Sequence, residues 1–320
     1  MPAKTSSPAA EPLVLKEKLT WKKVRKNLYK YRGIYIMLIP VLLYYILFAY
    51  APLSGLQIAF RDYRPGRGIW GSRWVGFDNF IQFFSGPYFW RTLRNTLLIS
   101  GYTILICFPA PILFALLLNE VRLKYFKKAV QTISYLPHFI SLVVVCGIIK
   151  EFVSTTGLFN SIVVAFGGEA ANMLMDPGKF RSIYVISELW QTIGWNSIIY
   201  LAALSGINTE LYDAAAVDGA GRFRRIWSIT LPGLMPTIII MFIMRIGQFM
   251  SVGFDKIILL YNENIYETAD IISSFVYRKG LIESNYSYSM AVSLVNSLVN
   301  FALVVLVNKI SAKVSETSLW

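Results

Sequence analysis

Charged residues, histidine and cysteine are all scarce in this chain. Of its 320 residues, 15% are charged and 55% are hydrophobic, and there are two cysteines and one histidine. A soluble domain carries roughly 25% charged residues. The missing charge is absent from long stretches, which is the pattern that a lipid bilayer imposes on segments that cross it. The composition therefore predicts a membrane protein.

The scarcity of histidine and cysteine also argues against most site chemistries. His138, Cys107 and Cys146 all lie inside apolar runs, and they supply no metal-ligand spacing, no disulfide framework and no Ser/His/Asp set. A phosphate-binding loop of the form G-x-x-x-x-G-K-[ST] is missing, and Gly219-Ala220-Gly221 lacks the third glycine of a dinucleotide loop. We therefore predict no metal centre, no catalytic residues and no cofactor bound by this chain.

Six apolar runs are long enough to cross a membrane. Each is close to the ~20 residues that a helix needs to span ~30 Å of hydrocarbon, where the backbone must satisfy its own hydrogen bonds. The predicted spans are 34–53, 96–118, 129–149, 182–204, 234–254 and 287–308. Prolines within them, such as Pro40 and Pro137, fit kinked helices. The predicted fold class is an all-α polytopic protein with six transmembrane helices.

The first apolar run has an alternative interpretation as a cleaved secretory signal. Ala49-Tyr50-Ala51 resembles a cleavage site. Pro52 follows it directly, and the run is longer than a usual signal core, so we favour a retained span.

Lysines and arginines predict the orientation of the spans. The basic leader 1–32, the connection after the second span and the connection 205–233 are rich in them, which places these segments and both termini in the cytoplasm. The long connections 54–95, 150–181 and 255–286 would then face outward, although the first also carries several arginines. The net charge of +13 fits anionic lipid better than nucleic acid. We divide the chain into a basic cytoplasmic segment, 1–32, and a six-span domain, 33–320.

The connection 205–233 carries the most informative motif. Asp213-Ala214-Ala215-Ala216-Val217-Asp218-Gly219 combines acidic residues, an alanine run and a glycine, which predicts a short exposed helix that stops at Gly219. Ile229-Thr230-Leu231-Pro232 follows, and Pro232 suits the start of the fifth span. An amphipathic loop helix resting on the membrane surface is the alternative interpretation.

This spacing resembles the E-A-A, three residues, G, nine residues, I-x-L-P signature of binding-protein-dependent ABC importer permeases of type I. Asp213 stands where the family usually has glutamate. In that family the short helix docks into a cleft of an ATP-binding subunit, and ATP-driven closure rocks the spans between inward and outward states. The resemblance assigns this coupling to Asp213, Ala214, Ala215, Asp218, Gly219, Ile229, Leu231 and Pro232.

Further segments resemble maltose-type carbohydrate permeases, and within them the subgroup for complex polysaccharides and oligosaccharides. They include Phe77-Asp78-Asn79-Phe80, Tyr135-Leu136-Pro137-His138, Gly253-Phe254-Asp255-Lys256 and Tyr277-Arg278-Lys279-Gly280. The resemblance implies a carbohydrate substrate and four kinds of partner: a second permease, two ATP-binding subunits that hold ATP and Mg²⁺, an extracellular or periplasmic solute-binding protein, and the lipid of the bacterial inner membrane. A peptide or another solute is the alternative cargo. A membrane-embedded enzyme or receptor is the alternative class.

Two ionisable residues, Glu188 and Arg245, lie deep in predicted spans. Such residues are costly in lipid and usually face a bundle interior or a water-filled path. Helical spacing places Gln191 and Trp195 beside Glu188, and Gln248 beside Arg245. With His138 and Ser141 of the third span, these residues are our candidates for the substrate pathway. Arg245 would suit a uronate; alternatively, Glu188 and Arg245 form a structural pair.

Overall fold

The computed structural model describes residues 21, 25, 29–251 and 253–315. The predicted basic segment 1–32 therefore lies almost wholly outside the described residues, and its boundary stays a prediction. The chain divides into two units, Met1–Gly55 and Leu56–Trp320.

The first unit is dominated by α1, Arg32–Tyr45, which contains Pro40. A π-helical turn, Ile46–Tyr50, and a 3-10 segment, Ala51–Phe60, extend it to a continuous stretch of 29 residues. None of the residues of α1 is buried. An apolar helix with no buried side chain suits a lipid environment.

The described part of the second unit is built from helices and one small antiparallel sheet. The sheet pairs β1, Arg61–Asp62, with β2, Arg73–Trp74. The α-helices are α2 (Gly68–Gly71), α3 (Asp78–Ser85), α4 (Phe89–Cys107), α5 (Pro109–Glu120), α6 (Lys124–Phe139), α7 (Leu142–Phe152), α8 (Leu158–Ala165), α9 (Pro177–Ser205), α10 (Thr209–Val217), α11 (Arg222–Arg225), α12 (Leu231–Ile246), α13 (Phe254–Leu260), α14 (Tyr266–Ala269), α15 (Ile272–Tyr277) and α16 (Tyr286–Ser315). Shorter turns are 3-10 at Pro65–Arg67, Met173–Met175, Phe249–Ser251 and Glu263–Ile265, and π-helical at Ile226–Thr230 and Arg278–Ile282.

Among the described residues, four helical stretches are long and apolar enough to cross a membrane. They are Arg32–Phe60, Phe89–Glu120, Arg222–Ile246 and Tyr286–Lys313, and α6 with α7 makes a fifth if this bent pair is one span. The predicted span 182–204 coincides with α9, which has 29 residues but carries several polar side chains that lower its hydropathy. The all-α prediction is confirmed by this architecture. The count of six spans stays a prediction.

The third predicted span is broken rather than kinked. The axes of α6 and α7 differ by 101°. Pro137 lies inside the last turn of α6, and the chain becomes extended only at Ile140 and Ser141, with ψ of 137° at both. Proline removes one helical hydrogen bond, which weakens the turn that precedes the break.

The fifth predicted span ends early. We expected helix to residue 254, but α12 stops at Ile246 and the chain then passes through the 3-10 turn at 249–251. Asn296 and Asn300 of α16 contact this irregular segment: Asn296 Nδ2 donates to Met250 O at 3.2 Å, and Asn300 Oδ1 accepts from Met250 N at 3.3 Å. Asn300 also donates to Gly247 O. The two asparagines thus supply partners that a helix would have supplied, as irregular backbone in a membrane requires.

Helix α9 is the centre of the second unit and packs against α4, α5 and α6. Phe180 and Tyr184 on this helix are almost completely buried, in a cluster that also holds Cys107 and Cys146. Both cysteines are free thiols, as expected of packing residues. A second cluster joins α5, the last turns of α9 and the first turns of α12 through Tyr200, Leu204 and Leu234. This packing brings the two ends of the connection 205–233 together.

Candidate functional site

The connection between α9 and α12 forms a short exposed helix, α10, as predicted. Asn208 caps its first turn, since Asn208 Oδ1 accepts a hydrogen bond from Glu210 N at 3.0 Å. Asp213 is the fifth of the nine residues in α10, so its carboxylate sits mid-helix and not at the helix N-terminus. The acidic residue in the first turn is instead Glu210. The helix therefore begins four residues before Asp213, and the coupling residues Asp213, Ala214 and Ala215 lie within it.

Gly219 ends α10 in the way that the sequence predicted. Its φ of 76° lies in the left-handed region. Gly219 N donates to Ala216 O at 3.1 Å and Ala220 N donates to Ala215 O at 2.8 Å, which are the two bonds of a Schellman motif. Open space surrounds the position where a Cβ would stand. Within this chain, glycine is thus required by conformation and not by close packing.

The surface of the α10 connection is exposed and ready for a partner. Asp213, Ala214 and Asp218 are exposed and Ala215 is half-buried, and within the described part of the chain Asp213 has no cation within 4.0 Å. Three large apolar side chains beyond them are also exposed: Val217 at 89%, Phe223 at 90% and Trp227 at 75%. Exposed apolar side chains in the same short connection as exposed carboxylates are typical of a protein interface.

Internal hydrogen bonds hold this connection against the start of α12. Tyr212 Oη and Thr230 Oγ1 are 2.9 Å apart, and Thr230 is buried. Arg225 Nε donates to Ala220 O at 2.9 Å. Leu231 and Pro232 are the first two residues of α12, directly after the π-helical turn that contains Ile229. These hydrogen bonds connect α10 and the segment after it to the start of the fifth predicted span.

A second candidate site is a cavity of about 190 Å³ formed mainly by α9 and α12, with Cys107 of α4 and Pro111 of α5 also in its lining. Arg245 lines it from the last turn of α12, and Gln248 from the segment just after that helix, as the sequence suggested. Its lining also includes Thr192, Asn196 and Tyr200, which recur every fourth residue on one face of α9. These three were missed by the sequence analysis, and the i, i+4 spacing from Glu188 was the signal that pointed to them. The cavity is smaller than the roughly 300–1,000 Å³ typical of drug-sized sites.

Glu188 is paired with Lys256 and not with Arg245. Lys256 Nζ lies 3.1 Å from Glu188 Oε2, and only 3% of the lysine side chain is exposed. Within the described residues, no carboxylate lies within 4.0 Å of the Arg245 guanidinium, so the suggested Glu188–Arg245 pair is not formed. Arg245 also lies in the last turn of α12 and not in the middle of a span. Arg245 lies there because α12 ends at Ile246, eight residues before the end of the predicted span.

The other predicted pathway residues lie on a different side of α9. Trp195 stacks on His138 of α6, with ring centroids 4.4 Å apart and planes 7° apart. Gln191, one turn earlier, is buried, whereas Ser141 is exposed at the break between α6 and α7. The structure therefore separates the candidates into an α6–α9 contact and a cavity formed by α9 and α12.

A buried charge cluster at the opposite end of the unit escaped the sequence analysis. The Asp270 carboxylate is fully buried and accepts hydrogen bonds from Arg278 Nη2 at 2.6 Å and Arg91 Nη2 at 3.0 Å. Burial alone would lower the pKa of Arg278, but the hydrogen bonds and charge of Asp270 outweigh it and raise that pKa. Asn95 donates to the carbonyl oxygens of Glu267 and Asp270, which ties α4 to the same connection. The cluster fixes this end of the molecule.

The described residues contain no group of three or more histidine, cysteine, aspartate and glutamate side chains that could hold a metal ion. The two candidate sites are an exposed helix that carries carboxylates and a cavity lined by a cation, amides, hydroxyls and apolar side chains.

This chain is similar to known proteins of transport systems. A family model described as "Binding-protein-dependent transport system inner membrane component" matches residues 84–315. The Polygalacturonan/rhamnogalacturonan transport system permease protein YteP of Bacillus subtilis (strain 168) is 41% identical over 321 residues, covering 99% of each chain. Protein LplB of the same organism is 44% identical over 290 residues, covering 90% of this chain and 91% of LplB.

Solved structures agree. A chain of a bacterial ABC transporter involved in the import of the acidic polysaccharide alginate has a TM-score of 0.86 and 41% identity, covering 92% of this chain and 99% of that chain. The same kind of transporter in complex with an alginate pentasaccharide-bound periplasmic protein gives a TM-score of 0.87, with 93% and 100% covered. The resemblance carried by the motif from Asp213 to Pro232 is confirmed. The chain belongs to the family of binding-protein-dependent transport system inner membrane components, and it is a multi-pass inner-membrane permease of the ABC importer fold.

Proposed function

We propose that this chain forms half of the translocation pathway of an ATP-driven importer for an acidic oligosaccharide or polysaccharide. A second, related permease completes the pathway, and a solute-binding protein outside the membrane delivers the cargo. Two partner subunits bind ATP and Mg²⁺ and carry out its hydrolysis. Both termini and the connection 205–233 lie in the cytoplasm, with the end that holds Asp270 facing outward.

The exposed helix α10 supports the coupling part of this proposal. A movement of α10 would be transmitted to α12, because the Tyr212–Thr230 hydrogen bond and the Schellman turn join the two helices closely. The Asp213 carboxylate lies in mid-helix and has no cation within 4.0 Å among the described residues, so it is a suitable contact for a basic group on an ATP-binding subunit. Val217 and Phe223 supply the apolar part of the same interface.

The cavity at Arg245 is the single observation that carries the cargo part. Arg245, which has no carboxylate within 4.0 Å in the described part of the chain, lines a cavity of mixed polarity with two amide side chains, Asn196 and Gln248. A guanidinium matches a carboxylate in two-point geometry, and the amides suit sugar hydroxyls. The names of YteP and of the alginate transporter refer to polysaccharides that contain uronic acids or are described as acidic, and this chain resembles both across nearly its full length.

Uptake by the reconstituted complex tests this proposal. The chain would be reconstituted in vesicles with its partner permease, ATP-binding subunits and binding protein, and ATP-dependent uptake of labelled oligogalacturonate would be compared with its neutral methyl ester and with a peptide. We expect preference for the acidic sugar. Uptake of the peptide alone would support the alternative cargo and contradict the proposal.

The variant Arg245→Gln tests whether the preference for the acidic sugar depends on this arginine. We expect the variant to assemble normally and to lose uptake of the acidic sugar by about tenfold relative to the ester, because one charge-assisted contact is removed. Arg67→Gln, which changes an exposed arginine on the 3-10 turn at 65–67, is the matched control. An unchanged ratio in Arg245→Gln contradicts the role of this residue in cargo binding.

A further inference from the structure

We propose that Lys256 determines the specificity of the cavity, because it holds Glu188 and so keeps Arg245 open to an anionic cargo. This inference rests on the proposed import of an acidic sugar. It assigns a function to a lysine in the connection before the last span, outside both the cavity lining and the coupling helix.

Three charged groups lie on or beside the face of α9 that leads into the cavity. Glu188 and Lys256 form a pair at 3.1 Å, and Arg245 lines the neighbouring cavity. Cys107, which is part of the cavity lining, belongs to the same buried cluster as Tyr184, the residue whose ring Lys256 contacts. The group therefore contains two cations and one carboxylate. Glu188 neutralises Lys256, and the positive charge of Arg245 is not neutralised within this group.

Glu188 is in a position to compete for Arg245. It lies one helical turn, about 5.4 Å, before Thr192 on the face of α9 that continues through Asn196 into the cavity lining. A carboxylate at this position would be attracted to a guanidinium in a poorly solvated site. If it paired with Arg245, the cavity would lose its free cation, and an anionic cargo would have to displace an internal partner.

Lys256 prevents this competition by a rigid contact. Its ammonium lies over the ring of Tyr184, 5.5 Å from the ring centroid, and next to Glu188 on the following turn of α9. The position of α13 is fixed by Gly253, whose φ is 58° and whose missing side chain makes room for Tyr184 Oη. Lys256 is 2% exposed and the Glu188 side chain is 20% exposed, so solvent screens this pair less than it would screen a surface pair.

A purely structural role for Lys256 predicts different behaviour. If the pair only ties α13 to α9, its loss should weaken the protein for every cargo alike. If it controls the charge at the cavity, its loss should penalise an acidic cargo more than a neutral one of the same length. The ratio of the two uptakes separates the accounts.

The experiment measures ATP-dependent uptake of oligogalacturonate and of its methyl ester by the full reconstituted transporter. Lys256→Met should lower the ratio of acidic to neutral uptake by about tenfold, as loss of one charge-assisted contact does. The double variant Lys256→Met/Glu188→Gln should restore the ratio to within about threefold of the wild type, because the competing carboxylate is gone. Lys256→Arg, which keeps the cation, should preserve the ratio. Lys179→Met removes a half-exposed lysine paired with Asp176 and serves as the matched control.

The double variant Lys256→Met/Arg245→Gln tests whether Lys256 acts through Arg245. If Lys256 acts through Arg245, Lys256→Met should lower the ratio no further when Arg245 is already glutamine. Equal loss of both cargoes in Lys256→Met, or no recovery in the double variant with Glu188→Gln, overturns the inference. If Arg245→Gln loses acidic uptake but Lys256→Met keeps the ratio, this inference fails while the proposed function stands. If the wild type takes up no acidic sugar, both fail.

Discussion

His138 and Trp195 stack face to face, with ring centroids 4.4 Å apart. The stack joins α6 to α9 just before the break at Ile140, and 41% of the Trp195 residue remains exposed. Aromatic pairs of this kind contribute about 0.5–1.5 kcal/mol beyond their buried area. The only histidine of the chain is thus engaged in a ring contact between helices.

The His138–Trp195 stack gives the first prediction. His138→Ala should lower the free energy of unfolding by about 1 kcal/mol, whereas His138→Phe, which keeps a flat ring, should stay close to the wild type. Thermal unfolding of the purified complex in detergent measures both. Equal melting temperatures for the alanine variant and the wild type would show that the stack adds nothing to stability.

Gly219 gives the second prediction. A side chain in the left-handed region costs about 1–2 kcal/mol, and a β-branched one costs more, so Gly219→Val should reduce co-purification of the ATP-binding subunits more than Gly219→Ala. Gly221→Ala is the matched control, since Gly221 has φ of −68° and no atom near its Cβ position. If Gly221→Ala were as harmful as Gly219→Val, conformation at Gly219 would not be the cause.

Asp213 gives the third prediction. Asp213→Lys should abolish co-purification of the ATP-binding subunits or cut cargo-stimulated ATP hydrolysis at least tenfold, because it sets like charge against a basic partner group. Glu169→Lys reverses an exposed acidic residue in the connection between α8 and α9 and should have no such effect. Normal co-purification and stimulation in Asp213→Lys would contradict the docking role of α10.

Asn296 gives the fourth prediction. Asn296→Leu removes the donor to Met250 O in the irregular segment after α12, and an unsatisfied buried carbonyl costs about 1–3 kcal/mol. The melting temperature of the complex should fall accordingly. Leu298→Ala on the same helix truncates a side chain that is 59% exposed and should change it less. The opposite order would mean that α16 does not hold this segment through Asn296.

Local patterns in the sequence predicted the α10 connection well. The alanine run, Gly219 and Pro232 each act within a few residues. The sequence therefore predicted the short helix, its C-terminal end and the start of the next helix. The apolar runs likewise predicted the helical class, because the bilayer dictates length and composition.

Long-range partners could not be predicted in this way. Lys256 lies in a predicted outward connection and meets Glu188 only after folding, across 68 residues of sequence. The early end of α12 at Ile246 also escaped detection, because the hydropathy of its residues continues while Asn296 and Asn300 take over the hydrogen bonding. Pairing of this kind depends on which helix faces come together, which periodicity alone does not specify.

The most direct test of the account measures ATP hydrolysis and uptake in the same vesicles, with each component left out in turn. Oligogalacturonate-loaded binding protein should stimulate both activities only when this chain, its partner permease and the ATP-binding subunits are all present. The purified chain alone should release phosphate only at background level. Robust ATP turnover by the chain alone, or full uptake without ATP, would contradict the proposed role as a coupled permease.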